Sequence, residues 1–371
     1  MIRVLHSVSY MHRAGVETFL MNYYRHIDRS VVQFDFLCGK QLPGDYDDEI
    51  RHLGGRIFYR PGMGTLREEG YAAFWREFLR EHPEIRILHA HNGAKQFFPL
   101  EGARQVGLPV RIAHAHSTDF VRDEKYRHRM ELIRRLPDAA NYYFCCSSRA
   151  GEFFFGADLW RERGVLIHNA IPCREFAFRA RERERLRADL GLRDAFVVGH
   201  VGRFMRQMNH ARLLEIFREV CREVPEARLL LIGSGELEED VKAEAAALGI
   251  LPAVRFCGEQ ADMARWYQAM DAFVMPSLFE GLTIAGIEAQ AAGLPCVFSD
   301  AVSPETKVTD AVTFVPLSAG NGAWRDAVLR CRARRREDTS PRIRRAGYDI
   351  CEEAGKLQQL YCRIADARGN G

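Results

Sequence analysis

The chain has 371 residues, 47% apolar and 28% charged, which exceeds the size of a single hydrophobic core and excludes a disordered or fibrous polypeptide. With 53 basic against 50 acidic residues the net charge is +3, too even for a dedicated nucleic-acid binder, so nucleic acid is not expected among the partners. Ten scattered cysteines include no CxxC, which excludes a zinc module or a dithiol redox motif and points to a reducing, cytoplasmic setting.

The chain runs almost at once into an apolar segment, residues 4–8, with no basic start or cleavage site of a secretory signal. No apolar run approaches the ~20 residues that span a bilayer. The expectation is a protein that is not exported and crosses no membrane. Strands are predicted over 3–8, 33–38, 57–59, 85–89, 110–114 and 142–147, with helices over 16–27, from about 47, 67–81 and 95–106. Alternation of this kind implies parallel sheets with helices on both faces, and ligands beyond the carboxyl ends of the strands. The alternation stops over 170–194, where a proline and a mixed-charge run suggest an interdomain connection. A second series follows: strands over 196–201, 228–232, 254–257, 272–275, 296–298 and 313–315, and helices over 210–224, 236–248, 263–269 and 283–292, before two closing helices. The expected architecture is α/β, two similar halves across a cleft.

Three strand-end loops of the second half carry ligand-binding chemistry. After the strand at 196–201 come Gly202 and Arg203, a backbone open to close approach beside a rigid guanidinium fork suited to phosphate. Gly233-Ser234-Gly235 joins a strand to a helix and reads equally as an anion cradle or a tight turn. The segment Met275-Pro276-Ser277-Leu278-Phe279-Glu280-Gly281-Leu282-Thr283 leads from a strand into a helix starting near Leu282, whose free amides and positive dipole end favour an anion. Glu280 precedes that end, where a sugar on a helix-bound diphosphate would lie. Glu288, two turns on and leaning back, reaches ribose hydroxyls.

Residues 199–295 resemble the retaining GT-B glycosyltransferases of family 4, many of which assemble bacterial surface polysaccharides. The likeness runs through Gly202-Arg203, Asn209-His210, Gly233-x-Gly235, Gln268-Ala269-Met270-Asp271, the two glutamates and Glu288-Ala289-Gln290-Ala291-Ala292-Gly293-Leu294-Pro295. Weaker echoes occur at Ala14-Gly15-Val16-Glu17, Cys146-Ser147 and His168-Asn169-Ala170-Ile171. The resemblance implies a GT-B fold: Rossmann-like domains at 1–170 and 171–351, with a last helix at about 352–371 returning to the first. It implies a retaining glycosyltransferase of hexosyl type that uses a nucleotide-diphosphate sugar, UDP- or GDP-linked, and no metal or other cofactor. The acceptor would be a glycan or lipid-linked sugar in surface polysaccharide synthesis, met at the inner face of the membrane through peripheral contact by the N-domain. By position, Arg203 would hold the leaving diphosphate, Glu280 the sugar hydroxyls and Glu288 the ribose. The amides around Gly281, Leu282 and Thr283 would hold the phosphates, with Gly202, Gly233 and Gly235 lining the donor. Gly15 would line the acceptor side, and His116, or alternatively His114, would face the sugar. The family's lysine five residues after the arginine is here Met208, so a second cationic partner for the diphosphate is missing unless Arg206 swings into the role. A sugar-nucleotide epimerase, or a sugar-nucleotide binder without turnover, are the readings left open.

Three signals read as something else. His89-x-His91 and His114-x-His116 have the strand spacing of metal ligands but no accompanying carboxylates, so no metal site is expected. Asp45-Tyr46-Asp47-Asp48 reads as a helix start. The basic runs 122–135 and 330–336 carry interleaved acids or lack a recognisable partner.

Overall fold

The computed structural model describes residues 1–59 and 68–367. The expected helix over 67–81 begins there at Glu68; residue 67, and residues 368–371 of the expected closing helix, lie outside the described residues. The chain divides into two compact units, residues 1–170 with the segment from Ile350, and Ile171–Asp349.

In the first unit β1 (Ile2–Val8), β2 (Val32–Cys38), β3 (Ile57–Tyr59), β4 (Ile87–Ala90), β5 (Val110–Ala115), β6 (Tyr142–Cys145) and β7 (Gly164–Leu166) form one sheet in the order β3-β2-β1-β4-β5-β6-β7. Every pairing is parallel, so helices must cover both faces and the strands lose their polar alternation; all seven residues of β2 are buried. The last helix, Ile350–Ala367, packs on the helix Gly15–His26, and Tyr361 from it reaches the sheet, bonding His89 Nδ1 at 2.7 Å. The second unit repeats the pattern with β8 (Phe196–Val201), β9 (Ala227–Ile232), β10 (Val254–Phe256), β11 (Ala272–Met275), β12 (Cys296–Ser299) and β13 (Val312–Val315), again all parallel, in the order β10-β9-β8-β11-β12-β13. In both sheets the strand order reverses beside the first strand of the unit, which places the switch points next to β1 and β8.

The stretch over 170–194 is not a free connection. It contains the helix Ala180–Asp189, which packs on the helix Met263–Ala269 as part of the second unit. Its amphipathic signal is hidden because arginines rather than apolar residues face inward. Arg183 and Arg187 both donate to the Asp271 carboxylate, the Arg187 contact being 2.9 Å, and Asp271 Oδ2 also accepts from Val197 N at 2.8 Å. The basic run 330–336 likewise resolves into internal contacts. Arg336 is buried, donates to the carbonyls of Gln268, Met270 and Ala292, and stacks on Phe178, and burial lowers its pKa to about 9. Arg332 and Arg334 pair with Glu226 and Asp310. Asp47 and Asp48 occupy the first turn of the helix Asp47–His52. No helix among the described residues is long and apolar enough to cross a membrane.

Asp271 thus neutralises two arginines, one of them buried. Asp271→Asn is expected to lower the unfolding free energy of the second unit by about 3 kcal/mol, the usual range for stranding a buried charge. Urea unfolding followed by circular dichroism measures it; a change below about 1 kcal/mol would show that water already screens the cluster.

Candidate functional site

Three strand-end loops of the second unit are laced together by main-chain hydrogen bonds. After β8, Gly202 N donates to Ile232 O (3.0 Å) and Phe204 N to Ser234 O (2.9 Å), binding this loop to the one after β9. The fit leaves no room for side chains: a Cβ on Gly233 would lie 2.2 Å from Gly202 O, and one on Gly235 2.5 Å from Phe204 O. Both glycines have positive φ, 139° and 158°. Their role in the empty protein is therefore close loop packing. The Gly233 amide is already committed to Gly258 O at 2.9 Å, which removes one donor from the anion cradle considered above.

The turn Arg206–Met208 is fastened to the loop after β11. Leu278 N donates to Gln207 O (2.8 Å), Gln207 Nε2 to Phe279 O (3.1 Å) and Asn209 Nδ2 to Pro276 O (3.0 Å). Asn209 adopts the left-handed conformation, φ 57°, and turns the chain into the helix His210–Glu223. Arg203 and Arg206 are both exposed, and neither side chain has a hydrogen bond or ion pair among the described residues. Two guanidinium groups thus stand uncompensated at this edge of the sheet.

The loop from β11 carries the acidic pair. Glu280 is drawn toward the loop after β12, with an isolated parallel bridge to Val302. Gly281, Leu282 and Thr283 are buried behind it. The helix begins at Ile284, two residues later than expected, because Thr283 is its N-cap: Thr283 Oγ1 accepts from Gly286 N at 3.4 Å. The amides of Ile284 and Ala285, in the first turn, are the ones left facing outward from the cap. Glu288 lies about one turn into that helix, buried, and accepts from Tyr267 Oη at 2.9 Å. Burial pushes the Glu288 carboxyl up to about 7, the tyrosine bond opposing it. Glu280 keeps part of its surface in water and moves upward for the same reason, with a bond from Gln207 pulling it back. Tyr267 escapes a reading of the sequence: it sits in a seven-residue helix whose spacing carries no ligand signal, and only the fold brings it to Glu288.

In the first unit Gly15 opens the helix Gly15–His26, exposed and with nothing within 4 Å of where a Cβ would stand. His114, in β5, is fully buried and engaged by His89, whereas His116 just beyond the strand keeps partial exposure. His6, His89 and His91, and again His91, His114 and His116, cluster closely enough to share an ion.

Known proteins give this geometry a context. A family model described as glycosyl transferases group 1 matches residues 195–333. EpsF of Bacillus subtilis (strain 168), to which glycosyltransferase activity is assigned by inference, is 36% identical over 97% of this chain and 96% of its own. An Escherichia coli UDP-Gal:alpha-D-GlcNAc-diphosphoundecaprenol alpha-1,3-galactosyltransferase is 31% identical over 77% of this chain and 76% of its own. Among solved structures, Anabaena HepE in complex with UDP and glucose superposes with a TM-score of 0.78 at 16% identity, over 98% of this chain and 100% of that one. Sucrose-phosphate synthase of Thermosynechococcus elongatus gives 0.79 at 18% identity, over 99% and 100%. The shared architecture is GT-B.

The raised Glu288 pKa has a consequence for the empty protein. Between pH ~4.5 and ~7 the folded state holds a proton that the unfolded chain releases, so stability falls as pH rises through that window. From pH 5 to 8 the wild type is expected to lose about 2–3 kcal/mol relative to Glu288→Gln, which keeps an acceptor for Tyr267 without the charge. Denaturant unfolding of both proteins across the range tests this; parallel pH profiles would mean that Glu288 is ionised throughout.

Proposed function

The chain belongs to the group 1 glycosyltransferases, and from that premise we propose that it is a retaining enzyme moving a hexose from a UDP- or GDP-linked donor to a glycan or lipid-linked acceptor in surface polysaccharide synthesis. The observation that carries the reading is the turn Pro276–Thr283, which sets Glu280 before the start of the helix Ile284–Ala291 and Glu288 about one turn inside it. The amides of Ile284 and Ala285, with the helix dipole and the unpaired Arg203, supply positive potential for a diphosphate. Glu288 takes the ribose hydroxyls and Glu280 the sugar hydroxyls. In the first unit, Gly15 leaves room for the acceptor and His116 meets the transferred sugar. Work on a lipid-linked acceptor would bring the protein to the inner membrane surface as a peripheral partner.

With retention, the acceptor hydroxyl attacks the anomeric carbon on the face the diphosphate leaves. The bond from that carbon to the phosphate oxygen breaks as the new glycosidic bond forms, and the hydroxyl proton passes to the departing phosphate oxygen. Neither a protein base nor a metal is then required, because the guanidinium and the amides offset the leaving-group charge. UDP or GDP is therefore expected to bind with equal affinity in EDTA and in magnesium, as isothermal titration would show; loss of binding in EDTA would sink the metal-free reading.

Met208 stands where the resembled family has lysine. Its Sδ lies 3.7 Å from Ser277 Oγ and 2.9 Å from where a Cβ on Gly202 would be, so the side chain borders the Arg203 loop. Arg206 lies two residues earlier on a 3₁₀ turn, about 120° around the axis from Met208, and does not share its direction. Met208→Lys is therefore expected to raise kcat/KM by on the order of 10²-fold, the scale of one preorganised donor to a developing charge, while Arg206→Ala changes it little. Turnover of a donor–acceptor pair by both variants decides; loss of activity in Arg206→Ala with no gain in Met208→Lys would give Arg206 the role.

A further inference from the structure

Five buried or nearly buried histidines gather on one face of the first sheet, at the carboxyl ends of β1, β4 and β5. His6 pairs in register with His89, and the remaining three follow at alternate positions or on the neighbouring strand. They form two separate files. Tyr361 Oη, His89 and His114 make one, with contacts of 2.7 and 3.0 Å. His6 Nδ1, His91 Nε2, His91 Nδ1 and His116 Nε2 make the other, with contacts of 3.1 and 2.9 Å. A metal held tetrahedrally at ~2.05 Å would separate its nitrogens by about 3.3–3.4 Å. The observed gaps are shorter and fit N–H···N hydrogen bonds.

The file ending at His116 has a direction. Burial holds His6 and His116 down to about 3 and His91 well below its ordinary value, with desolvation the leading cause in each, so all three rings are neutral at physiological pH. A neutral imidazole has one donor and one acceptor nitrogen, so the rings must point the same way, since two N–H groups cannot face each other. Both orientations satisfy His91. At the outer end water serves either form, because His116 keeps partial exposure and its Nδ1 has no protein partner among the described residues. The inner end decides: His6 Nε2 is fully buried and has no hydrogen-bond partner among the described residues. A proton there would be an orphaned buried donor, rarer in folded proteins than an unfilled acceptor.

We propose that His6 and His91 are positioning residues that lock His116 as its Nδ1–H tautomer, so that the exposed ring edge is a hydrogen-bond donor. His6 Nδ1–H donates to His91 Nε2, His91 Nδ1–H donates to His116 Nε2, and Nδ1–H of His116 points outward. The inference rests on the reading in which His116 meets the transferred sugar, and sharpens it. His116 presents a proton to a sugar oxygen and has no outward lone pair with which to accept one. It is thus excluded as the base that takes the acceptor's proton, in keeping with transfer of that proton to the departing phosphate.

The test begins without substrate. In a long-range ¹H–¹⁵N correlation spectrum of the full chain at pH 7.5, with the ring assigned by its loss in His116→Asn, His116 is expected to carry its proton on Nδ1. In His91→Phe it should change to the Nε2–H form or a mixture, while the fold, judged by circular dichroism, persists. His116 protonated on Nε2 in the wild type overturns the proposal, as does a stoichiometric zinc ion retained by the purified protein and lost in His91→Phe. In transfer assays His116→Asn, which keeps a donor, should stay within about tenfold of wild type, and His116→Asp, which offers only acceptors, should fall by on the order of 10²-fold. Equal loss in both overturns the donor role. A wild type without transfer on any nucleotide-sugar refutes the glycosyltransferase reading alone, since the spectrum reports the tautomer independently.

Discussion

The carbonyl oxygens of Gly202 and Phe204 occupy the space in which any side chain at 233 or 235 would begin. That exclusion sets the candidate site. It lets the loop after β9 lie flat on the loop after β8, and the hydrogen bonds from Gly202 N and Phe204 N then fix where Arg203 leaves the backbone. Gln207 and Asn209 carry the fastening across to the loop after β11, so the turn bearing Glu280 is positioned by the same network that positions the arginine. A methyl group at 233 would be felt at Glu280 through three loops, with no contact to it.

Charge is handled in two opposite ways inside the protein. Asp271, between Arg183 and Arg187, shows that this chain buries ions where it can pair them. Glu288 has Tyr267 but no cation, and its pKa rises instead. The histidines of the first sheet likewise shed their protons rather than find carboxylates. These groups are left neutral and satisfied by neutral partners, Tyr267 for Glu288 and the neighbouring rings and Tyr361 for the histidines.

Much of this was legible in the sequence because parallel α/β folds write their strands as short apolar runs; β3, β8 and β11 match the expected limits, and most of the others differ by one or two residues. The acidic pair was legible because both members lie in one continuous strand–turn–helix. What escaped detection did so for separate reasons. The helix Ala180–Asp189 buries Arg187 beside Leu186, so its inward face looks like surface; β7 has three residues; the helix Tyr126–Ala139 contains Pro137, which argues against a helix; Ser148–Phe155 is only eight residues; and Ala157–Arg163 buries no residue. Tyr267 and the file of histidines behind His116 are products of long-range pairing, which no local window contains. The glycines at 233 and 235 were visible as a motif, but whether they receive an anion or another loop depends on what lies 30 residues upstream.

Met208 fits the charge pattern of the empty site. Among the described residues Arg203 and Arg206 have no counter-ion, and a lysine at 208 would add a third cation beside them. Glu288 is taken by Tyr267, and Glu280 is drawn toward protonation by its own burial. A thioether placed against Ser277 and Gly202 removes that repulsion and fills the same volume with apolar contact. The gain belongs to the unliganded protein. Under the donor mode proposed above, the charge of the diphosphate grows as the sugar departs, and a lysine at 208 is the group whose contribution would grow with it. On that proposal a methionine here trades rate for a less charged loop, and the burden falls on Arg203 and the helix amides.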